Sequence, residues 1–189
     1  MTPPSHSSTE LPTSKLTVDE FLAWAEGQPG RYELYCGAVY ALAPVRAGHA
    51  KVKFAVQTEL RRAIAAAGRQ CHMLPNGMTV RVDKDIAHEP DALVYFGPEV
   101  PRDVVEIPDP RIVVEGLSPS TRQMDASAKL SGYFQIPSVQ HYLIVDPAGQ
   151  PTLHHQRQAD GKILTSIVGS GNLKLDPPGD DVDVSVFFS

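Results

Sequence analysis

Three residues near the middle of the chain have the side chains to act on a phosphodiester. Asp91 follows Pro90 and opens the apolar run Ala92-Leu93-Val94-Tyr95-Phe96. Glu115 closes a second run, Arg111-Ile112-Val113-Val114. Lys129 follows on a helix predicted after Ser118-Pro119-Ser120-Thr121. Short β-branched and aromatic runs bounded by turn residues read as buried strands. One carboxylate at each strand end and an ammonium one helix later are a minimum kit for holding a divalent cation and a water beside a phosphodiester. An isolated Pro-Asp pair more often marks an exposed turn. Glu115 carries more information, because Gly116 and Leu117 follow it without polar relief and a strand Glu is costly to bury unpartnered. The two carboxylates and the Gly116 carbonyl are hard oxygen donors of the kind Mg²⁺ or Mn²⁺ takes.

Several elements must position these groups. Thr17 and Glu20 form a capping box ahead of a short helix whose apolar face is Val18, Phe21, Leu22 and Ala25. Tyr32–Tyr35 and Ala38–Leu42 read as strands about a Cys36-Gly37 turn. A long helix is predicted from His49 to Ala67, with Gly68 as its C-cap. Cys71–Leu74 and Met78–Val82 read as a hairpin about Pro75-Asn76-Gly77, Asp83–His88 as a polar loop, and the Pro-rich stretch from Pro98 to Pro110 as a surface flap. Ser120 and Gln123 make a second capping box. Met124, Ala128 and Phe134 are then expected to face the core, with Arg122, Asp125, Lys129 and Tyr133 on another face. There Asp125 is placed to orient Lys129, or simply to make a surface i,i+4 pair. His141–Val145, Pro151–Gln156 and Lys162–Val168 read as strands, and Leu173–Leu175 and Val182–Phe188 as edge strands. His154 and His155 point to opposite faces of a strand, so the pair is a poor chelate.

Composition narrows the class. The chain has 189 residues, 42% hydrophobic and 21% charged, as expected of one globular domain at 16–189 behind a disordered Pro/Ser/Thr-rich tail at 1–15. No run approaches a membrane span and no export signal is visible, so a cytoplasmic setting with Cys36 and Cys71 reduced is expected. A net charge of −5 does not advertise nucleic-acid binding. The charge is uneven, however. From Val45 to Arg69 there are six basic residues against Glu59 alone, so that segment carries +5 and the remainder −10. Arg46, Lys51, Lys53, Arg61 and Arg62 thus read either as a solvated helix face or as a local edge for a phosphate backbone.

The motifs Arg31-Tyr32-Glu33-Leu34-Tyr35-Cys36-Gly37, Pro90-Asp91, Val114-Glu115-Gly116-Leu117-Ser118-Pro119-Ser120-Thr121, Asp125 to Lys129, and His141-Tyr142-Leu143-Ile144-Val145-Asp146 occur in that order. Together they resemble the PD-(D/E)XK nuclease superfamily, and within it the Uma-two restriction endonucleases, from about Thr17 to about Val168. The resemblance implies an α/β fold, a mixed β-sheet flanked by helices, with additional antiparallel strands at the C-terminus. It implies a metal-dependent endonuclease acting on DNA, with Asp91 and Glu115 holding Mg²⁺ or Mn²⁺. Leu117 stands at the superfamily's usual lysine position, and Lys129 matches a lysine that the branch carries on the following helix. Glu33 matches an acid of the family's Tyr-Glu-Leu block, an extra metal or water ligand, and His49 a histidine opening the long helix. Gly116 replaces a commoner β-branched residue and Cys36 a commoner acid. DNA is the expected partner, no membrane is expected, and a homodimer is compatible with the chain. The rival expectation is a catalytically silent nuclease fold serving as a nucleic-acid- or protein-interaction module.

Overall fold

The computed structural model describes residues 10–117, 126–148 and 151–188. The expectations for residues 1–9 of the tail, for the Ser120 cap, and for Arg122, Met124 and Asp125 lie outside the described residues.

Alternation along three central strands builds the framework. A six-stranded sheet runs β10 (Ile163–Val168), β9 (Thr152–Arg157), β8 (His141–Val145), β7 (Pro110–Gly116), β6 (Ala92–Phe96), β3 (Cys71–Pro75). Every neighbouring pair is antiparallel except β7 and β8, which are parallel with Glu115 opposite Ile144. This is a mixed α/β fold, as the sequence led one to expect. Ala92, Val94, Ile112, Val114, Leu143 and Val145 enter one core with Val56, Leu60 and Ala63 of α2 (Ala47–Ala67). Their alternates Leu93, Tyr95, Val113, Tyr142 and Ile144 enter a second core with Tyr133 of α3 (Ala126–Gln135). Both faces of these strands are therefore covered, and their sequences read as continuous apolar runs rather than alternating ones.

A second sheet, β2 (Ala38–Ala41), β1 (Tyr32–Tyr35), β5 (Ile86–His88), β4 (Val80–Asp83), packs under α1 (Val18–Ala25) through Val18, Phe21, Leu34, Val39 and Ala87. The Thr17–Glu20 capping box is formed. Cys36 and Gly37 both have positive φ, 49° and 78°, the requirement of a two-residue turn between twisted strands. The hairpin expected about Asn76-Gly77 is absent. β3 pairs with β6 in the large sheet, β4 pairs with β5 in the small one, and the turn carries the chain between sheets. The stretch expected to be a polar loop supplies β5. The physical reason is burial: Ala87 and His88 lie inside.

The Pro-rich stretch is not a free flap. Ile107 is buried, Thr79 bridges Glu106, and the Val100 N–H donates to the Tyr95 hydroxyl. At the C-terminus β11 (Asn172–Leu175) pairs with β12 (Asp180–Asp183), and a 3₁₀ turn replaces the expected strand over Val184–Phe188. Leu175, Val182, Val184 and Phe187 close the α2 core from outside.

His141 and His154 join β8 to β9 inside the protein. His141 Nε2 is 3.0 Å from the Pro177 carbonyl and His141 Nδ1 is 2.9 Å from His154 Nε2. A carbonyl only accepts, so His141 donates from Nε2 and accepts at Nδ1 from His154. His141 must be neutral for this chain of bonds, since a protonated Nδ1 could not accept from His154. Burial pushes both rings down to about 4, with their mutual repulsion adding to the shift at His154. The folded state thus refuses protons that the unfolded chain takes up near 6.5. Stability should be complete above about pH 6.5 and fall as the pH drops toward about 4. Melting curves across this window should show a shallower decline for His154→Gln than for the wild type; parallel declines would remove these rings from the acid response.

Candidate active site

Asp91 is gripped by one face of α2. His49 Nε2 lies 3.1 Å from Asp91 Oδ2, Lys53 Nζ lies 2.6 Å from Oδ1, and Gln57 Nε2 donates to the Asp91 carbonyl at 2.9 Å. Spacings of four residues put these three side chains in one line along the helix. The Gly116 N–H completes the set, donating to Asp91 Oδ2 at 2.7 Å. Burial alone would drive the Asp91 carboxyl upward; His49, Lys53 and the Gly116 N–H reverse this and hold it down at about 2.

Glu115 faces the other way, as strand alternation requires, toward α3. Its Oε1 accepts from Lys129 Nζ at 3.1 Å and from the Tyr133 hydroxyl at 2.7 Å. Lys129 also donates to Glu33 Oε1 at 2.9 Å, and the Glu89 N–H donates to the same oxygen at 2.9 Å. Burial pushes the Glu115 carboxyl above the usual range, aided by Glu33 and Asp91 and opposed by Lys129. For Glu33 burial also pushes upward, but the neighbouring His88 and the Lys129 charge outweigh it and leave the carboxyl low. Glu33, Glu115 and Lys129 thus form one buried cluster, and Asp91, His49 and Lys53 a second beside it, on either side of the β7 end.

Gly116 explains how the clusters can adjoin. A Cβ there would stand 2.7 Å from His49 Nε2, closer than real Cβ atoms come, and 3.0 Å from Asp91 Oδ2, a tight contact. Its N–H, rather than its carbonyl, is the group the structure ties to Asp91.

The basic segment divides. Arg46, Lys51 and Arg61 are exposed. Lys53, expected on the outer edge, is only 8% exposed and turned in to Asp91. Arg62 reaches Glu59 at 2.6 and 2.7 Å and the Asp181 carbonyl at 3.1 Å, which binds α2 to the C-terminal segment. The α3 face carrying Lys129 and Tyr133, at 5% and 0% exposure, packs inward, because the carboxylates of β1 and β7 neutralise its one charge. Sequence reasoning did not single out Gln57 or His88. Gln57 was legible in the His49, Lys53, Gln57 spacing. His88 carried no signal: its ring is buried against Tyr133, with Nδ1 3.8 Å from Glu33 Oε2 and no hydrogen bond among the described residues.

The donor chemistry suits a hard divalent cation. Asp91 and Glu115 offer carboxylate oxygens, and Glu115 Oε2 makes no hydrogen bond among the described residues. Also among the described residues, no three His, Cys, Asp or Glu side chains converge as a ready-made cage.

Comparisons with known proteins show the family and the fold. A family model, Uma2, described as "Putative restriction endonuclease", matches residues 18–183. Two proteins of Synechocystis sp. (strain ATCC 27184 / PCC 6803 / Kazusa) are similar, each described as uncharacterized. Slr1290 is 26% identical over 183 residues, covering 96% of this chain and 95% of its own. Sll1609 is 26% identical over 163 residues, covering 83% and 90%. A crystal structure titled as a putative nuclease belonging to DUF820 from Anabaena variabilis superposes with a TM-score of 0.69 at 14% identity, covering 92% of this chain and 97% of that one. At that identity the likeness establishes the fold. Among the described residues no helix is long and apolar enough to cross a membrane.

The opposite pKa directions predict opposite stability effects. Asp91 is held ionised by the fold, so Asp91→Asn strands the Lys53 ammonium and should cost about 3 kcal/mol in metal-free protein. Glu115 is raised by the fold, so its ionised form loses stability as the pH rises. Glu115→Gln should leave the melting temperature unchanged or higher, with a gain that grows toward pH 8.5. Thermal melts in chelator across pH 6.5–8.5 test this; equal losses for both variants would contradict it.

Proposed function

The chain belongs to the Uma2 family, and on that premise we propose that it is a metal-dependent endonuclease that hydrolyses DNA phosphodiester bonds between Asp91 and Glu115. The observation that carries the reading is the convergence of Glu33, Glu115 and Lys129 on one side of the β7 end with Asp91 on the other. When bound, Mg²⁺ or Mn²⁺ would polarise the phosphate and lower the pKa of an attacking water.

The protein's own groups do the rest. Asp91 and Glu115 would hold the ion, with Glu33 as a further acid beside Lys129. Lys129 supplies fixed positive charge at the phosphate or orients the water, and Glu33 and Glu115 aim its ammonium in advance. Tyr133, donating to Glu115 Oε1, holds that oxygen and leaves Oε2 without a hydrogen bond among the described residues. His49 holds the Asp91 carboxylate against the Gly116 N–H. Arg46, Lys51 and Arg61 on the exposed side of α2 would take the phosphate backbone, and Phe54, 71% exposed on that side, presents an apolar ring to a base.

One observation favours a second reading, a silent nuclease fold used for binding. Both Asp91 oxygens already have hydrogen-bond or ion-pair partners within the protein. A Mn²⁺ titration separates the two readings, since a silent fold takes up no metal at Asp91.

Supercoiled plasmid incubated with Mg²⁺ or Mn²⁺, and with chelator as control, tests the proposal. Cleavage should require metal, and mononucleotides should not be hydrolysed. Lys129→Met should reduce cleavage by about 10²–10³-fold with Mn²⁺ affinity little changed, as expected for a group stabilising charge only at the phosphate. Intact plasmid under every metal condition would sink the proposal.

Replacing Arg46, Lys51 and Arg61 by Gln should weaken DNA binding and reduce the slope of log K against log salt by roughly 2 to 3, about 0.9 for each phosphate no longer neutralised. An unchanged slope would make the stripe a solvated helix face.

A further inference from the structure

A cation approaching Asp91 meets groups already seated on both carboxylate oxygens. Oδ2 is held by the Gly116 N–H at 2.7 Å and by His49 at 3.1 Å. The first of these is backbone at the paired end of β7 and does not swing away. Oδ1 is held by the Lys53 ammonium at 2.6 Å. That ammonium sits at the end of a flexible four-carbon stem, anchored on α2 between His49 and Gln57. Glu115 differs, since Lys129 and Tyr133 share its Oε1 and leave Oε2 without a hydrogen bond among the described residues.

We propose that Lys53 is an internal placeholder for the metal, occupying Asp91 Oδ1 in the metal-free protein and released when the ion binds. The inference rests on the nuclease reading above. Its physical basis is charge balance. A carboxylate as buried as Asp91 needs a counter-cation at all times, and the Lys53 ammonium supplies one until a divalent ion takes over. After release, the flexible stem carries the ammonium off Oδ1 and lets it reach solvent. The contact also tunes affinity. Metal must compete with an intramolecular cation, so the apparent Kd is the intrinsic value divided by the fraction of protein in which Oδ1 is open.

The test uses the full chain, wild type, with and without saturating Mn²⁺. Binding is followed by calorimetry, and lysine acetylation by an amine-reactive ester is quantified per residue by peptide mass spectrometry. Lys53, 8% exposed in its side chain, should react slowly without metal and about tenfold faster with it. Lys162, 82% exposed, should not change and serves as the reference. Metal binding with an unchanged Lys53 rate overturns the placeholder while leaving the nuclease reading intact. Absence of any binding heat overturns the nuclease reading and the placeholder with it. Lys53→Met, measured by calorimetry, should bind Mn²⁺ about tenfold more tightly than wild type, because the competitor is gone. Equal or weaker affinity in a folded variant also overturns it.

Discussion

A hydrogen in place of a side chain at Gly116 leaves room for the His49 ring against the Asp91 carboxylate. Any Cβ would occupy the space of His49 Nε2 and press on Asp91 Oδ2. With that space open, one helix face delivers His49, Lys53 and Gln57 to a single aspartate, and the backbone N–H of the same glycine completes its shell. The residue that departs from the commoner β-branched type is thereby accounted for by close approach. It relieves a clash that a branched side chain would create.

Around this contact buried carboxylates and ammonium groups are paired unequally. Three carboxylates, Glu33, Asp91 and Glu115, lie within one poorly solvated region and meet two ammonium groups, Lys53 and Lys129. Isolated carboxylates in such a place are expensive, and two unequal solutions are used. Asp91 and Glu33 are given cations and hydrogen-bond donors and stay ionised, whereas Glu115 shares its lysine with Glu33 and is driven toward the protonated form.

The two apolar cores on either side of the central strands hold this arrangement in register. Val113 and Glu115 face α3, and Val114 and Gly116 face α2, by the period of two along β7. The carboxylate thus reaches the lysine of one helix while its neighbour in sequence admits the histidine and lysine of the other. The C-terminal segment closes the α2 side through Phe187 and the Arg62–Glu59 pair, and the Asp183 N–H also bonds to Glu59. Charges on the α2 segment that look alike in sequence are therefore put to three uses: backing the site, tying down the C-terminus, and facing solvent.

The sequence by itself determined the mixed α/β class, the ends of most helices and strands, and the two strand-end acids with their lysine. These follow from local rules: capping boxes at Thr17, apolar runs bounded by turns, and periodicities of 3.6 and 2. It could not separate Lys53 from Lys51, because which side of α2 is buried depends on where the sheet lies, and a basic residue in an amphipathic stripe carries no label. Nor could it show that Asn76-Gly77 joins two sheets instead of closing a hairpin, since the partner of β3 is β6, some twenty residues on, chosen by packing on α2. His88 became visible only in three dimensions, where burial left a polar ring against Tyr133 and near Glu33. Tertiary structure decided these points because each depends on contacts between residues distant in the chain, and local propensity is blind to them.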